Sequence, residues 1–248
     1  MSVRVGVVVF PGSNRDVDAV NALRVAGAEP VRLWHEEAGL DGVDAVILPG
    51  GFAYGDYLRA GVIARFSPVM RAVTAFAGDG GLVLGICNGF QVLAEAGLVP
   101  GALLRNRSLR FVCREVAILP GRLDTPFTHA LDAGRPLRMP VAHGEGCYYA
   151  DEVTLDGLER DGQILFRYAS PDGTVAASPT DPGNPNGSLR GIAGVTNAAG
   201  NVAGLMPHPE TAVEPILGSV DGLGIVRSLV ESAAERAAGP RPALAAAR

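Results

Sequence analysis

Cys87 has the strongest claim to chemistry in this chain of 248 residues. It stands in Leu84-Gly85-Ile86-Cys87-Asn88-Gly89-Phe90-Gln91, with glycine two positions before it and two after it. An apolar run, Leu82-Val83-Leu84, leads in, and a helical pattern follows at once. This is the layout of a nucleophile elbow, a sharp strand-to-helix turn, with cysteine as the nucleophile. Side chains two residues either side of the nucleophile would collide in so tight a turn. Glycine removes the clash and tolerates the backbone that the turn demands. The turn lifts the sulfur off the sheet at a helix N-terminus, where backbone N–H groups and the dipole favour a thiolate. A free thiol ionises at roughly 8.5, so this help matters at neutral pH. A buried structural cysteine is the usual fate of an isolated one; the elbow context favours the nucleophile.

A base and its orienter stand at Met206-Pro207-His208-Pro209-Glu210. Pro209 biases His208 towards an extended backbone. Residues two apart in such a segment share a side, so the Glu210 carboxylate can hold the His208 imidazole. Taken alone, the pair also reads as a solvated surface turn. With the cysteine elbow it completes a nucleophile–base–orienter set. Acyl transfer needs oxyanion donors as well. The N–H of Asn88, directly after the nucleophile, is one candidate, and that of Gly51, in Pro49-Gly50-Gly51, is the other. No Gly-Lys-Ser/Thr follows those glycines, so they do not form a phosphate-binding loop. Gln91 lies one helical turn after Cys87 and can face the same pocket. His143-Gly144-Glu145 repeats the two-residue offset, with Cys147 just beyond. Cys147 has no elbow and lies in an apparent loop, whereas His143 remains a candidate for the active-site surface. A metal site built from His143, Cys147 and His208 matches no usual ligand spacing, and no metal is expected. His35 and Cys113 read as structural.

The elements that must position these residues follow from the apolar pattern. Residues 3–10 form a nearly continuous apolar run, as buried parallel strands do. Pro11-Gly12-Ser13-Asn14 breaks it, and Ser13 or Asn14 can cap a helix with Val17, Val20 and Leu23 on one face, ending at Gly27. Short strands follow at 30–34 and 45–48, then helical spacing over 63–76 through Phe66, Val69, Met70 and Val73. The strand at 82–86 feeds the elbow, and the next helix stops near Gly97. This order implies a doubly wound parallel sheet, with its chemistry at the C-terminal strand ends. Residues 111–119, 137–141, 163–168, 192–197 and 202–206 read as further strands. Turn clusters such as Asp181-Pro182-Gly183-Asn184-Pro185-Asn186-Gly187 separate those in the middle. A helix over 220–238 closes the chain. The predicted organisation is one α/β domain over 1–238 and a flexible tail over 239–248.

Bulk properties narrow the function. The net charge is −5, with no long basic run, so nucleic-acid binding has no electrostatic support. No apolar stretch nears the roughly 20 residues that span a bilayer. Met1-Ser2-Val3-Arg4-Val5 enters a strand pattern without a signal-peptide layout. Three cysteines, an odd number without CxxC spacing, argue against a disulfide framework or zinc knuckle. The expectation is a cytoplasmic enzyme with no membrane or nucleic-acid partner.

Residues 85–91 and His208-Pro209-Glu210 together resemble the class I glutamine amidotransferases. Their glutaminase domains carry Gly-x-Cys-x-Gly-x-Gln and a later His-Pro-Glu in that order. Further stretches bring the chain close to the short bacterial and archaeal glutaminase subunits that serve purine synthesis. These are Phe10-Pro11-Gly12-Ser13-Asn14, Pro49-Gly50-Gly51-Phe52-Ala53-Tyr54-Gly55-Asp56-Tyr57-Leu58-Arg59-Ala60-Gly61, Ala142-His143-Gly144-Glu145-Gly146 and Asn184-Pro185-Asn186-Gly187-Ser188. The resemblance covers residues 3–238. It implies a flavodoxin-like, mostly parallel sheet with additional antiparallel strands in the middle third. It implies a Cys87, His208, Glu210 triad that hydrolyses glutamine through a thioester, with Gly51, Asn88 and Gln91 at the oxyanion and substrate. Asp56, Arg59 and His143 are implied at the rim or partner contact. The ammonia would pass to a separate synthetase subunit that uses ATP and Mg on the formylglycinamide ribonucleotide amide, alongside a small accessory subunit. The chain itself would bind no cofactor. Two positions depart from the pattern: Arg15 stands where relatives often have a second cysteine, and Thr211 where arginine is common. Two other readings remain open. The cysteine peptidase, chaperone and deglycase superfamily shares the fold and elbow, but usually places histidine directly after the cysteine, where Asn88 stands here. A degenerate amidotransferase kept as a scaffold tends to lose Cys or His, and both are present.

Overall fold

A computed structural model describes residues 2–239; the expected tail beyond Gly239 lies outside the described residues. The chain builds β1 (Arg4–Val9), α1 (Asp16–Val25), β2 (Glu29–Trp34), β3 (Ala45–Leu48), α2 (Pro68–Gly78), β4 (Leu82–Ile86) and α3 (Asn88–Glu95). It continues through β5 (Ala102–Leu104), β6 (Val112–Pro120), β7 (Leu137–His143), β8 (Cys147–Tyr149), α4 (Glu152–Arg160), β9 (Ile164–Ala169), β10 (Ile192–Thr196), β11 (Val202–Leu205) and α5 (Leu223–Ala238). This is the α/β class expected. The main sheet runs β2-β1-β3-β4-β11-β10-β9-β6-β7. Its first five strands pair in parallel, and the rest extend the same sheet through antiparallel ladders. β5 and β8 form a separate small ribbon.

The run of buried residues in β1, β3 and β4 follows from helix cover on both sides of a parallel sheet. α1 packs on β1, β2 and α5, and α5 on β3 and β4; α3 packs on β3, β4 and β11. One continuous apolar core includes Val5, Leu48, Leu84, Phe90, Leu205 and Leu229. Among the described residues no helix is long and apolar enough to cross a membrane.

Several boundaries differ from the sequence reading, each for a local reason. Neither Ser13 nor Asn14 caps α1. The Ser13 hydroxyl instead accepts from the Phe10 N–H at 3.0 Å and Ser13 bridges to Gly51, so the helix starts only after Arg15. The helix expected from residue 63 begins at Pro68. Ser67, before that proline, is extended (φ −59°, ψ 144°), as prolyl sterics require, and 64–66 form one separate 3₁₀ turn. α4 was not expected. It buries only Leu155 and Leu158 and depends on Asp151, whose side chain accepts from the Thr154 N–H at 2.7 Å. β5 and β8 have three residues each, too few to show a period.

The segment after β11 closes the free edge of β7. His208 N–H donates to Pro140 O at 2.9 Å, and the Ser219 hydroxyl to Arg138 O at 2.8 Å. Asp221 accepts from the Arg138 N–H at 2.8 Å. An open edge is thereby sealed, and the histidine segment is pinned across the sheet.

Candidate active site

The ladder register brings the site together. β4 lies between β3 and β11, with Leu48 opposite Gly85 and Ile86 opposite Leu205. The next rung is a hydrogen bond from Cys87 N–H to Leu205 O at 2.8 Å. Three neighbouring parallel strands therefore end at one level, delivering Pro49-Gly50-Gly51, Cys87 and Met206-Pro207-His208.

Cys87 sits at φ 49°, ψ −105°, a strained conformation for a side-chain-bearing residue, directly before α3. The flanking glycines are required. A Cβ on Gly85 would lie 2.6 Å from Leu93 Cδ1 and 2.7 Å from the Gly89 carbonyl carbon. A Cβ on Gly89 would run into the Leu48 carbonyl. Cys87 is 3% exposed, and its thiol donates to Ala142 O at 3.7 Å. Asn88 opens α3, so its N–H has no partner within the helix. Gly51 (φ 156°) sits so tightly against Ser13 that a Cβ would lie 2.7 Å from the Ser13 Cα.

His208 and Glu210 do pair, but not in an extended strand. Residues 209–211 form a 3₁₀ turn after His208 (φ −104°, ψ 87°), and the Thr211 hydroxyl donates to His208 O at 3.1 Å. His208 Nδ1 lies 2.6 Å from Glu210 Oε1, with both side chains buried. Among the described residues Glu210 Oε2 has no hydrogen-bond partner. Burial opposes a charged imidazole, yet the Glu210 carboxylate and then the Cys87 sulfur outweigh it and hold His208 above its ordinary value. His208 thus faces the sulfur with one nitrogen and is gripped by the carboxylate at the other, the arrangement of a general base with its orienter.

Sequence reasoning missed the part Gly50 plays. A Cβ there would lie 2.7 Å from His208 Cε1, so the first glycine of the pair is clearance for that ring. Cys147, the rival nucleophile, lies in β8 and its thiol donates to Gly187 O at 3.2 Å. Burial pushes that thiol up, away from nucleophilic use. Cys113 is exposed on β6 rather than built into the core. His35 is structural as expected: its Nδ1 lies 2.8 Å from the Tyr54 hydroxyl, which also bonds Ser67. Among the described residues no group of His, Cys, Asp and Glu could hold a metal.

Asn88 is a hub where the alternative superfamily has histidine. Its Oδ1 accepts from the Ala53 N–H at 3.0 Å, and its Nδ2 donates to Gln91 Oε1 at 2.9 Å and Asp56 Oδ1 at 3.3 Å. Gln91 Nε2 then donates to Glu145 O at 2.6 Å, fixing its amide in the pocket wall. Asp56 is half-buried over this hub, while Arg59 is exposed and bidentate on Glu95 at 2.5 and 2.6 Å. His143 was expected at the rim, and that expectation is corrected here. It is 2% exposed, because Asn106 and Asn186 enclose its ring. Glu145, partly exposed, faces Arg105 at 3.7 Å.

Residues 2–221 match the family described as the CobB/CobQ-like glutamine amidotransferase domain. The chain is 59% identical over 228 residues to the phosphoribosylformylglycinamidine synthase subunit PurQ of Gloeobacter violaceus, covering 92% of this chain and 97% of that protein. It is 58% identical to the subunit of that name from Salinibacter ruber, covering 93% of this chain and 97% of the relative. Among solved structures, that of PurLQS from Thermotoga maritima superposes with a TM-score of 0.81 at 42% identity, covering 94% of this chain and 99% of the matched chain. The acivicin-bound glutaminase domain of Trypanosoma brucei CTPS, at 14% identity and a TM-score of 0.61, covers 94% of each chain and shares the fold.

Two predictions follow from this geometry. Gly50→Ala displaces His208 from the sulfur, so alkylation of Cys87 by iodoacetamide at pH 7 should slow about tenfold, with the circular dichroism spectrum unchanged. An unaltered rate would remove Gly50 from the site. For Asp56, burial first and the Glu145 carboxylate second push the group from 3.8 up to about 6, against the hydrogen bond from Asn88. The folded state then binds this proton more tightly than the unfolded state. Stability is therefore lost as pH rises through that window, and the penalty is complete above it. Asp56→Asn keeps an oxygen for Asn88 and removes the charge. Its melting temperature should exceed the native one at pH 8, and the gap should close by pH 4; a gap that does not vary with pH would contradict this assignment.

Proposed function

The chain belongs to the CobB/CobQ-like glutamine amidotransferase family, and we propose that it hydrolyses glutamine and hands the ammonia to a separate synthetase, as the glutaminase subunit of a phosphoribosylformylglycinamidine synthase. The observation that carries the reading is the buried His208–Glu210 pair facing a cysteine on a strained elbow, at the ends of adjacent strands.

The chemistry follows from these positions. His208 Nε2 takes the thiol proton, and Glu210 holds the resulting imidazolium. The sulfur attacks the carboxamide carbon, and the N–H groups of Asn88 and Gly51 stabilise the oxyanion. Collapse breaks the C–N bond, and ammonia departs with the proton from His208. Water, deprotonated by His208, opens the glutamyl thioester and releases glutamate. Gln91, one turn from Cys87 with its amide fixed, contributes to the substrate pocket. The synthetase uses ATP and Mg to place the ammonia on the formylglycinamide ribonucleotide amide, in a complex with a small accessory subunit. This chain contributes no cofactor and works in the cytoplasm. Residues 1–238 act as one domain, a reading supported by the unbroken core.

The rim segment 52–61 is read as the face that meets the synthetase. It stands directly over Asn88, and Tyr57 and Leu58 are 74% and 92% exposed, an apolar pair turned to solvent. Leu58→Glu should weaken assembly with the synthetase and accessory subunits at least tenfold by analytical ultracentrifugation, the scale of one lost apolar anchor. Unchanged assembly would move the interface elsewhere.

The deciding experiment is glutamate release from glutamine, by the chain alone and with the two other subunits, for native protein and Cys87→Ala. Release that rises with the partners and vanishes in the variant is expected. No release under any condition, with the complex still forming, would point to a scaffold. Release surviving in the variant would place the nucleophile elsewhere.

A further inference from the structure

His143 ends β7 in complete burial, and no step above uses it. Its ring lies between two asparagines, with Nδ1 3.1 Å from Asn106 Oδ1 and Nε2 3.5 Å from Asn186 Nδ2. The backbone fixes which way both amides face. Asn106 Oδ1 accepts from the Gly146 N–H at 3.0 Å, and its Nδ2 donates to His143 O at 2.8 Å and Arg110 O at 2.9 Å. Asn186 Nδ2 donates to Gly146 O at 2.7 Å, and its Oδ1 accepts from the Ser188 N–H at 3.1 Å. Turning either amide would set donor against donor. With an oxygen on one side and an NH₂ group on the other, the imidazole donates from Nδ1, while Nε2 faces Asn186 Nδ2, whose two protons go to Gly146 O at 2.7 Å and the Tyr168 hydroxyl at 3.1 Å. That is the neutral ring; a second proton would point at a donor. Burial first, and the neighbouring His208 charge second, bring His143 down to about 4.

The segment that this ring holds is a wall of the catalytic pocket. The Ala142 carbonyl accepts from the Cys87 thiol at 3.7 Å, and the Glu145 carbonyl from Gln91 Nε2 at 2.6 Å. The contacts land on the residue before α3 and on its first turn. Asn106 N–H adds a bond to Gly144 O at 2.9 Å. Gly146 must be glycine for the ring to fit, since a Cβ there would lie 2.5 Å from His143 Nδ1.

We propose that His143, held as the neutral Nδ1–H tautomer between Asn106 and Asn186, is a positioning residue of the hydrolysis. It fixes segment 142–146 so that the Ala142 and Glu145 carbonyls face Cys87 and Gln91, and it carries no proton in the reaction. The role rests on the glutaminase reading. The Ala142 carbonyl sets where the sulfur rests in the free protein. It also offers an acceptor beside the sulfur to the N–H₂ of a carboxamide.

The test measures glutamate release from pH 6 to 9, with synthetase and accessory subunits present, for native protein, His143→Asn and His143→Leu. Asparagine can place an N–H where Nδ1–H stands; leucine cannot. His143→Leu should lose about 100-fold in kcat, the effect of an ångström-scale misplacement of reacting groups. His143→Asn should stay within about tenfold of native, the scale of one altered hydrogen bond, with both limbs of the kcat/KM profile unmoved. Long-range ¹H–¹⁵N spectra of the native chain should show His143 neutral and protonated on Nδ1 at pH 6. Native activity in His143→Leu would overturn the role. So would a shifted pH limb in His143→Asn, or a charged or Nε2–H ring in the spectra. Should His143→Leu fail to fold, the asparagine variant and the spectra decide. No glutamate from native protein with all subunits present would overturn the glutaminase reading instead, and this role with it.

Discussion

The hydrogen bond from Cys87 N–H to Leu205 O is the constraint from which the site follows. It is the last rung of the β4–β11 ladder, and it fixes Cys87 and the segment bearing His208 at the same level of the sheet. A slip by one residue would turn the ladder's side chains to opposite faces and lose the pocket. The core therefore does more than hold the domain together. Buried residues on both faces of β3, β4 and β11 specify the register, and the register specifies the chemistry. The elbow then departs from regular structure at one residue, where φ turns positive at Cys87.

The His208–Glu210 pair is better explained by function than by stability. Removing both groups from water offsets most of their attraction, so a buried ion pair contributes little net free energy. The carboxylate keeps the imidazole basic in a site whose burial alone would make it a poor base. Stability is given up at one point to hold a proton acceptor beside the sulfur, and the surrounding apolar core compensates.

What the sequence disclosed divides by distance along the chain. Gly85, Cys87, Gly89 and Gln91 lie within one turn, and His208 and Glu210 two residues apart, so their spacing carries their geometry. The parallel half of the fold was legible for a related reason: residues such as Val46 and Leu84 are buried on every face and read as unbroken apolar runs. Asn106, His143 and Asn186 were not legible as a unit, being 37 and 43 residues apart along the chain. An asparagine in a turn cluster looks the same whether it faces water or holds a buried ring. The part of Gly50 was not legible because its clearance concerns His208, which the chain supplies from another strand. α4 escaped because two buried leucines make too narrow a stripe to announce a helix.

Opposite kinds of backbone border the pocket. In the wall at 142–146, the carbonyls of Ala142, His143, Gly144, Glu145 and Gly146 all accept hydrogen bonds, from Cys87, Asn106, Gln91, Asn186 and Ser188. Such a segment has no alternative arrangement of comparable energy, because any shift leaves buried groups unpaired. The rim at 52–61 is held at Ala53, Tyr54 and Ala60, yet it places Tyr54, Asp56 and Leu58 at positive φ with Leu58 almost wholly in solvent. Left-handed side-chain-bearing residues store strain that their surroundings must hold. Catalysis by preorganised dipoles needs one surface that does not move while charge develops on the substrate. A partner that controls the reaction needs one that can. The hydrogen bonds that Asn88 accepts from Ala53 and donates to Asp56 join the strained rim to the residue proposed to supply an oxyanion donor. A contact made on the rim would thus bear on Asn88 through Ala53 and Asp56, whereas the wall against the Cys87 sulfur lies outside that route.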